Sequence, residues 1–126
     1  MLYRVSKRME IAGAHRLELD YESRCTNLHG HGWIITVFCK ATQKNRNGMV
    51  IDFAKVKQMI HGKLDHQCLN DVLYFNPTAE NIAEWVMSEI NDYLETQSDT
   101  DATCYRVTVQ ESEGNIACCE TEGGAV

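Results

Sequence analysis

The sequence has little of what typically marks a secreted protein, a membrane protein or a nucleic-acid-binding protein. Its six cysteines form no Cys-x-x-Cys pair, so a cysteine-based structural zinc knuckle is not expected. The first fourteen residues carry four charged side chains where a signal peptide needs an apolar segment. The longest apolar-rich run, from Trp33 to Cys39, is far shorter than a membrane span. A cytoplasmic protein with reduced thiols is therefore expected.

The charge balance also excludes a class of partner. The formal net charge is −6, with 12 Lys and Arg residues against 18 Asp and Glu residues, whereas a nucleic-acid-binding domain needs a basic face. Neither nucleic acid nor a membrane is expected as a partner. An anionic small molecule remains compatible, because a pocket can be locally basic on an acidic surface.

The rest of the sequence indicates a single α+β domain over residues 1–126. Strands are expected at 2–14 and 33–42, helices after Asp52 and at Pro77, and further strands at 105–111 and 116–120. Asp52 is an N-cap candidate, and Pro77, the only proline, opens the second helix together with Thr78. Residues 121–126 are expected to form a loose tail.

The element order β-β-α-α-β-β predicts an antiparallel four-stranded sheet with two helices on one face. The second helix shows its buried face as an apolar stripe, formed by Ile82, Trp85, Val86, Ile90, Tyr93 and Leu94. So small a sheet leaves long edge strands that a protein must cover or pair, and assembly into a homo-oligomer would achieve this.

The segment RCTNLHGHGW, residues 24–33, concentrates groups that bind metal ions. If a strand begins near Leu28, its two-residue period places His29 and His31 on one face, from which two imidazoles can reach a single ion. His15 ends the first strand candidate, where an antiparallel neighbour would bring it beside this pair. Three histidines without a fourth protein ligand would leave a coordination position open, as catalytic zinc requires.

These ligand assignments have alternatives. An isolated His-x-His pair is also compatible with surface polar residues at the entry of a strand. His61 and His66, in and after the first helix, are spare candidates for the fourth ligand of a closed structural site.

Three more residues, Cys25, Asp65 and His66, are candidates for chemistry. Cys25 precedes His29 by four residues, and beside a divalent cation it would be a thiolate base or nucleophile; otherwise it is a half-buried cysteine. Asp65 and His66 form a carboxylate–imidazole pair suited to general acid–base catalysis, or they cap the C-terminus of the first helix.

Glu111 is a carboxylate on an otherwise apolar strand face, which by alternation it shares with Tyr105, Val107 and Val109. A carboxylate there is costly unless something binds it or it reaches solvent at the strand end. A heterocycle that presents paired N–H donors would be a matching ligand.

Together these segments resemble the 6-pyruvoyltetrahydropterin synthase / 6-carboxytetrahydropterin synthase family. The likeness runs from about Met9 to Glu111 and comprises, in order, AHRL at 14–17, CTNLHGHGW at 25–33, GMVIDF at 48–53, LDHQCLND at 64–71 and NPTAENIAEW at 76–85. Each motif is short, but their order and spacing are specific. The C-terminal segment ESEGNIACCE is shorter and more polar than many final strands of the family.

The resemblance implies the T-fold, or tunnelling fold, in which β-β-α-α-β-β subunits form barrels and pair into larger homo-oligomers, often hexamers. It also implies a zinc ion held by His15, His29 and His31.

The same resemblance implies roles for the other candidates. Cys25 would be the thiolate that moves protons on the substrate side chain, and His66, partnered by Asp65, would be the complementary acid–base. Glu111 would anchor the pterin through its ring N–H and amino group.

The spacing Cys-x3-His-Gly-His, from Cys25 to His31, looks like that of the bacterial 6-carboxytetrahydropterin synthases of the queuosine and 7-deazaguanine pathway. The implied carbon–carbon lyase reaction converts 7,8-dihydroneopterin triphosphate to 6-carboxy-5,6,7,8-tetrahydropterin and releases acetaldehyde and triphosphate. One alternative is a 6-pyruvoyltetrahydropterin synthase, which eliminates triphosphate from the same substrate. The other is a non-catalytic T-fold protein with a structural metal.

Overall fold

Two long strands, β1 (Tyr3–His15) and β2 (His29–Ala41), form the centre of the structure, because in both of them nearly every second residue is apolar or small and faces inward. They are antiparallel and in unbroken register, from Tyr3 opposite Ala41 to His15 opposite His29. The computed structural model describes residues 1–121. Apart from Thr121, the tail expected at 121–126 lies outside the described residues.

The sheet has one strand more than expected. Its order is β3-β1-β2-β4-β5, with β3 at Gln67–Cys68, β4 at Thr103–Ser112 and β5 at Asn115–Glu120. The α+β class and the four antiparallel strands are confirmed, but the expected strand count is wrong, because β3 adds a fifth strand in the described residues through a parallel pairing with Gly13 and Ala14. A strand of two residues has no periodicity that a sequence could show.

Three helices, rather than two, connect the strands in residues 1–121: α1 (Phe53–Leu64), α2 (Leu69–Val72) and α3 (Ala79–Glu95). The two long helices begin as expected, since the side chain of Asp52 accepts from the Ala54 N–H and that of Thr78 accepts from the Asn81 N–H. The additional helix, α2, is a single turn and too short to show a helical period. None of these helices is both long and apolar enough to cross a membrane.

The core lies between the sheet and the two long helices. Its fully buried side chains come from both layers, with Trp33, Ile35 and Val107 from the strands and Ile60 and Ile82 from the helices. Each such aliphatic side chain contributes about 1.5–3 kcal/mol to folding by leaving water. All of the predicted apolar stripe of α3 is buried except Tyr93, which is half-buried.

The expected common face of Tyr105, Val107 and Val109 is wrong at Tyr105. The pairing of β4 with β2 shifts at residues 38–39, so that Tyr105 is an extra residue and points to the other face of the sheet. There its ring lies 6.5 Å from that of Phe38, measured between centroids. Strict alternation holds again from Val107, which is fully buried.

The polar C-terminal segment still pairs as an edge strand. Its turn lies at Glu113–Gly114, and Gly114 has φ +82°, a value that favours glycine. β5 then returns antiparallel to β4.

Candidate functional site

Three histidines lie on one face of the sheet, where β1 ends and β2 begins. His15 and His29 are opposite each other in the register, and His31 follows two residues along β2. The ring centroids are 4.6 Å apart for His15 and His29, 4.8 Å for His29 and His31, and 5.2 Å for His15 and His31. The structure therefore brings these three sequence candidates together, whereas the spare candidates His61 and His66 lie outside the group.

Glu111 is the fourth member of this group. Alternation along β4 places Glu111 on the inward face after Val107 and Val109, and the shift in the pairing of β4 with β5 makes it an extra residue at a β-bulge. One ligand atom from each of the four residues lies within 4.8 Å of the others. Glu111 was expected as a catalytic and pterin-binding residue, and its position makes it a potential metal ligand as well.

The contact between Glu111 and His31 has the distance of an ion pair without the geometry of a hydrogen bond. Glu111 Oε1 is 3.1 Å from His31 Nε2, yet this nitrogen has no hydrogen-bond partner of suitable angle. The contact is therefore not a hydrogen bond, because hydrogen bonds weaken steeply when they are bent. Two ligand atoms side by side, neither donating to the other, suit a cation between them.

Carbonyl groups fix which nitrogen of two rings faces the group. His15 Nδ1 is 2.8 Å from the carbonyl oxygen of Pro77, and His29 Nδ1 is 2.7 Å from that of Asn27. Since a carbonyl only accepts, Nδ1 of each ring carries the proton, and Nε2 keeps a lone pair for a ligand.

The orphaned nitrogens of the group fit a divalent cation. His15 Nε2 and His31 Nε2 are buried and have no hydrogen-bond partner in the described chain, although buried polar atoms are almost always paired. A set of imidazole nitrogens with one carboxylate oxygen is a donor set that zinc binds.

Burial sets the charge of His15. The side chain is fully buried and packs edge-on against Trp33, with 4.8 Å between ring centroids. Desolvation lowers the pKa of His15 below its usual value, and the opposing influences of the Pro77 carbonyl and Glu111 are smaller. His15 is therefore held as the neutral imidazole, the form that binds metal.

Cys25 lies close to the histidines in the backbone but is not a member of the group. It occupies a 3-10 turn, Arg24–Thr26, in which the Cys25 N–H donates to Ser23 Oγ at 3.1 Å. Its carbonyl accepts from the Leu17 N–H at 2.7 Å, which ties the turn to the chain two residues beyond His15. The thiol is half-buried.

The Asp65 carboxylate at the C-terminus of α1 has three partners. Oδ1 accepts from the Ala12 N–H at 2.9 Å, and Oδ2 is 3.4 Å from Nε2 of both His61 and His66. The Ala12 N–H, followed by the two imidazoles, lowers the pKa of Asp65. The sequence analysis missed His61 as a partner, although its i,i+4 spacing to Asp65 was a usable signal.

His66 has an unusual backbone and an open side chain. It is the only residue other than glycine in the described chain with a positive φ, +57°, and its side chain is 82 % exposed. The left-handed region is uncommon for a residue with a side chain and marks a locally constrained position. The constraint is the 2.7 Å hydrogen bond that the His66 N–H donates to the Ala12 carbonyl. The next residue, Gln67, begins β3 and pairs with Gly13.

A cleft of about 310 Å³ adjoins Glu111 and is lined also by Glu80 and by Asn115 and Ile116 of β5. Glu80, in the first turn of α3, is a second carboxylate beside this cleft, and the motifs in the sequence did not single it out. A larger, mainly apolar cleft of about 450 Å³ lies beside Tyr3, but no histidine or cysteine lines it. Of these two clefts, only the smaller one therefore borders a member of the histidine–glutamate group, Glu111.

Known proteins resemble this chain over nearly its whole length. The sequence model of a family described as 6-pyruvoyl tetrahydropterin synthase matches residues 4–122. A relative from Bacillus subtilis named 6-carboxy-5,6,7,8-tetrahydropterin synthase is 27% identical over 117 residues, which cover 87% of this chain and 80% of the relative. A relative from Pyrococcus furiosus named dihydroneopterin monophosphate aldolase is 34% identical over 97 residues, covering 75% of this chain and 80% of its own.

The fold is also similar to that of a solved structure of this family. The structure of Caenorhabditis elegans 6-pyruvoyl tetrahydropterin synthase superposes with a TM-score of 0.74, at 24% identity and with 97% of each chain covered. An identity this low speaks for the fold alone. It identifies the five-stranded sheet with its helices as the expected T-fold.

Proposed function

Since the chain belongs to the 6-pyruvoyl tetrahydropterin synthase family, we propose that it is a zinc-dependent 6-carboxy-5,6,7,8-tetrahydropterin synthase. It would convert 7,8-dihydroneopterin triphosphate, with uptake of water, to 6-carboxytetrahydropterin, acetaldehyde and triphosphate. The observation that carries the proposal is the group of three imidazoles and Glu111 beside a cleft. The name of the Bacillus subtilis relative supports the choice of product.

His15, His29 and His31 would hold the zinc ion through their Nε2 atoms. The carbonyls of Pro77 and Asn27 support this role, because they orient two of the rings and keep them neutral. The bound ion supplies Lewis acidity next to the side-chain oxygens of the substrate.

Cys25 and His66 would be the acid–base residues. Cys25 would take a proton from the substrate side chain; its thiol is only half-buried, and its backbone is bonded to Leu17, two residues beyond His15, which supports this role. Asp65, 3.4 Å from His66 Nε2, would stabilise the imidazolium of His66 when that ring accepts a proton. No redox cofactor is needed, because the pterin ring is reduced at the expense of its own side chain.

Glu111 would hold the pterin edge. A carboxylate can accept from the ring N–H and the amino group of a pterin at the same time, and the adjoining cleft has the volume of a small-ligand site. Glu111 could instead be a metal ligand. Metal analysis of a Glu111→Gln variant distinguishes pterin binding from metal ligation.

The assembly is proposed to be a homo-oligomer, as the family resemblance implies, and the protein to work in the cytoplasm in queuosine or 7-deazaguanine biosynthesis. Both sheet edges support the assembly. Over the described chain, β1 pairs with β3 at only two positions, and β5 has a partner strand on one side only. Such open edges are normally covered or paired.

A second candidate function comes from the Pyrococcus furiosus relative, whose name describes an aldolase acting on dihydroneopterin monophosphate. The deciding experiment incubates the zinc-loaded protein separately with 7,8-dihydroneopterin triphosphate and the monophosphate. Acetaldehyde together with triphosphate supports the proposed function. Triphosphate without acetaldehyde indicates a 6-pyruvoyltetrahydropterin synthase, turnover of the monophosphate alone indicates the aldolase, and no turnover of either indicates a non-catalytic T-fold protein.

A further inference from the structure

Beyond His15, two asparagine side chains take the place of a neighbouring strand. The Arg16 N–H donates to Asn70 Oδ1 and Asn70 Nδ2 donates to the Arg16 carbonyl, both at 2.9 Å. Asn76 makes the same pair of bonds with Glu18, also at 2.9 Å each. The amide groups thus continue, by side chains, the parallel pairing that β3 makes with Ala14.

The opposite edge of this extension carries the turn with the proposed catalytic thiol. Successive residues of an extended chain present their N–H groups to opposite edges. The backbone N–H of Leu17, which lies between the two clamped residues, therefore points away from the asparagines. It donates to the Cys25 carbonyl at 2.7 Å. Residues 16–18 are held on one side by Asn70 and Asn76 and hold Cys25 on the other.

Asn76 is itself fixed to the segment that orients His15. Its carbonyl accepts from the Thr78 N–H at 2.9 Å and from Asn81 Nδ2 at 3.0 Å. The next carbonyl, that of Pro77, is the one that holds His15 Nδ1. One short segment therefore fixes both the imidazole and, through residues 16–18, the turn of Cys25.

We propose that Asn70 and Asn76 are positioning residues that hold the Cys25 thiol at a set place relative to His15. The inference rests on the proposed function, in which Cys25 moves a proton of the substrate. Neither asparagine touches the histidine group, so neither is needed to bind the metal. Their effect is on the placement of the thiol, and a displacement of about 1 Å at a reacting group can lower turnover by about a hundredfold.

The chain offers a matched control in Asn91. Its side chain makes the same two-bond clamp with the Cys104 backbone, with Nδ2 donating to the carbonyl at 3.0 Å and Oδ1 accepting from the N–H at 2.8 Å. This clamp joins α3 to β4 and has no bond to the segment that carries Cys25. Asn91→Ala therefore removes the same two-bond clamp, together with a 3.3 Å bond from Thr103 Oγ1, without the positioning effect.

The experiment compares Asn70→Ala, Asn76→Ala and Asn91→Ala, each loaded with zinc, on 7,8-dihydroneopterin triphosphate. We expect kcat to fall by about ten- to a hundredfold in the first two variants, with KM nearly unchanged and zinc content equal to wild type. Hydrogen exchange of residues 16–25 should become faster in the same two variants. Asn91→Ala should show neither effect, and an equal loss of kcat in Asn91→Ala would overturn the proposal.

Combination with Cys25→Ala separates positioning from general weakening. If the asparagines act through the thiol, adding Asn76→Ala to Cys25→Ala should leave the residual kcat unchanged. A further tenfold fall would overturn the positioning role. Asn70→Asp, which keeps the acceptor for the Arg16 N–H, replaces Asn70→Ala if that variant does not fold, and it should retain more kcat than Asn76→Ala.

Different results would overturn the catalytic role of Cys25 and the positioning role of the two asparagines. Wild-type kcat in Cys25→Ala would remove the thiol from the mechanism and overturn the proposed role of Cys25 together with its positioning. Wild-type kcat in Asn70→Ala and Asn76→Ala, with kcat strongly reduced in Cys25→Ala, would overturn the positioning alone.

Discussion

Zinc should stabilise the protein against heat through the histidine group, because a cation that binds only the folded chain shifts the unfolding equilibrium. At a free zinc concentration a hundred times the dissociation constant, the gain is about 2.7 kcal/mol. For a chain of 126 residues the entropy of unfolding is about 0.26 kcal/mol/K near 60 °C, so the melting temperature should rise by about 10 °C. Pairing of the buried Nε2 atoms of His15 and His31 is the structural source of this gain.

The assay is calorimetric unfolding of chelator-treated protein across a zinc titration, at one fixed protein concentration. His29→Ala should abolish the rise in melting temperature, since it removes one member of the group. His61→Ala is the matched control, because His61 is paired with Asp65 and lies outside the group. An equal rise in wild type and His29→Ala, or its loss in His61→Ala, would refute the assignment.

Three further predictions concern single residues. Glu111→Gln should keep its zinc but raise KM by about ten- to a hundredfold, the equivalent of about 1.5–3 kcal/mol for a lost charge-assisted hydrogen bond. Metal analysis and steady-state kinetics check this prediction. Loss of zinc in this variant would make Glu111 a metal ligand instead. Cys25→Ala should bind one zinc per chain and lose most of its turnover, and zinc loss would instead place the thiol on the metal. The hydrogen bond from Thr42, followed by the Gln43 N–H, lowers the pKa of Asp101, so this carboxylate stabilises the fold above its unfolded pKa of about 3.9 and the benefit disappears as pH falls further. Wild type should therefore melt higher than Asp101→Asn at about pH 6, and the gap should shrink below about pH 3; a gap independent of pH would contradict the sign.

Local signals in the sequence were enough to predict the two long helices and the histidine pair. Asp52 and Thr78 cap their helices through contacts within three residues, which a sequence shows directly. His29 and His31 share a face because both lie in β2, which begins at His29, and side chains two residues apart in a strand point to the same side of the sheet.

The features that depend on distant contacts could not be predicted. Asn70 and Asn76 clamp residues 54 and 58 positions away, and nothing near them in the sequence indicates this. Tyr105 leaves its predicted face because a bulge inserts it into β4, and a bulge depends on the pairing with β2 rather than on local alternation. Glu111, by contrast, lies on the face that alternation with Val107 and Val109 predicts, and only its approach to His31 depends on the pairing of the distant strands.

The account depends most on three imidazoles sharing one zinc ion that Cys25 does not bind. X-ray absorption at the zinc edge of the zinc-loaded protein tests this directly. We predict one zinc per chain with nitrogen and oxygen ligands alone, at about 2.0–2.2 Å. A sulfur ligand at about 2.3 Å, or a spectrum without histidine scattering, would contradict it.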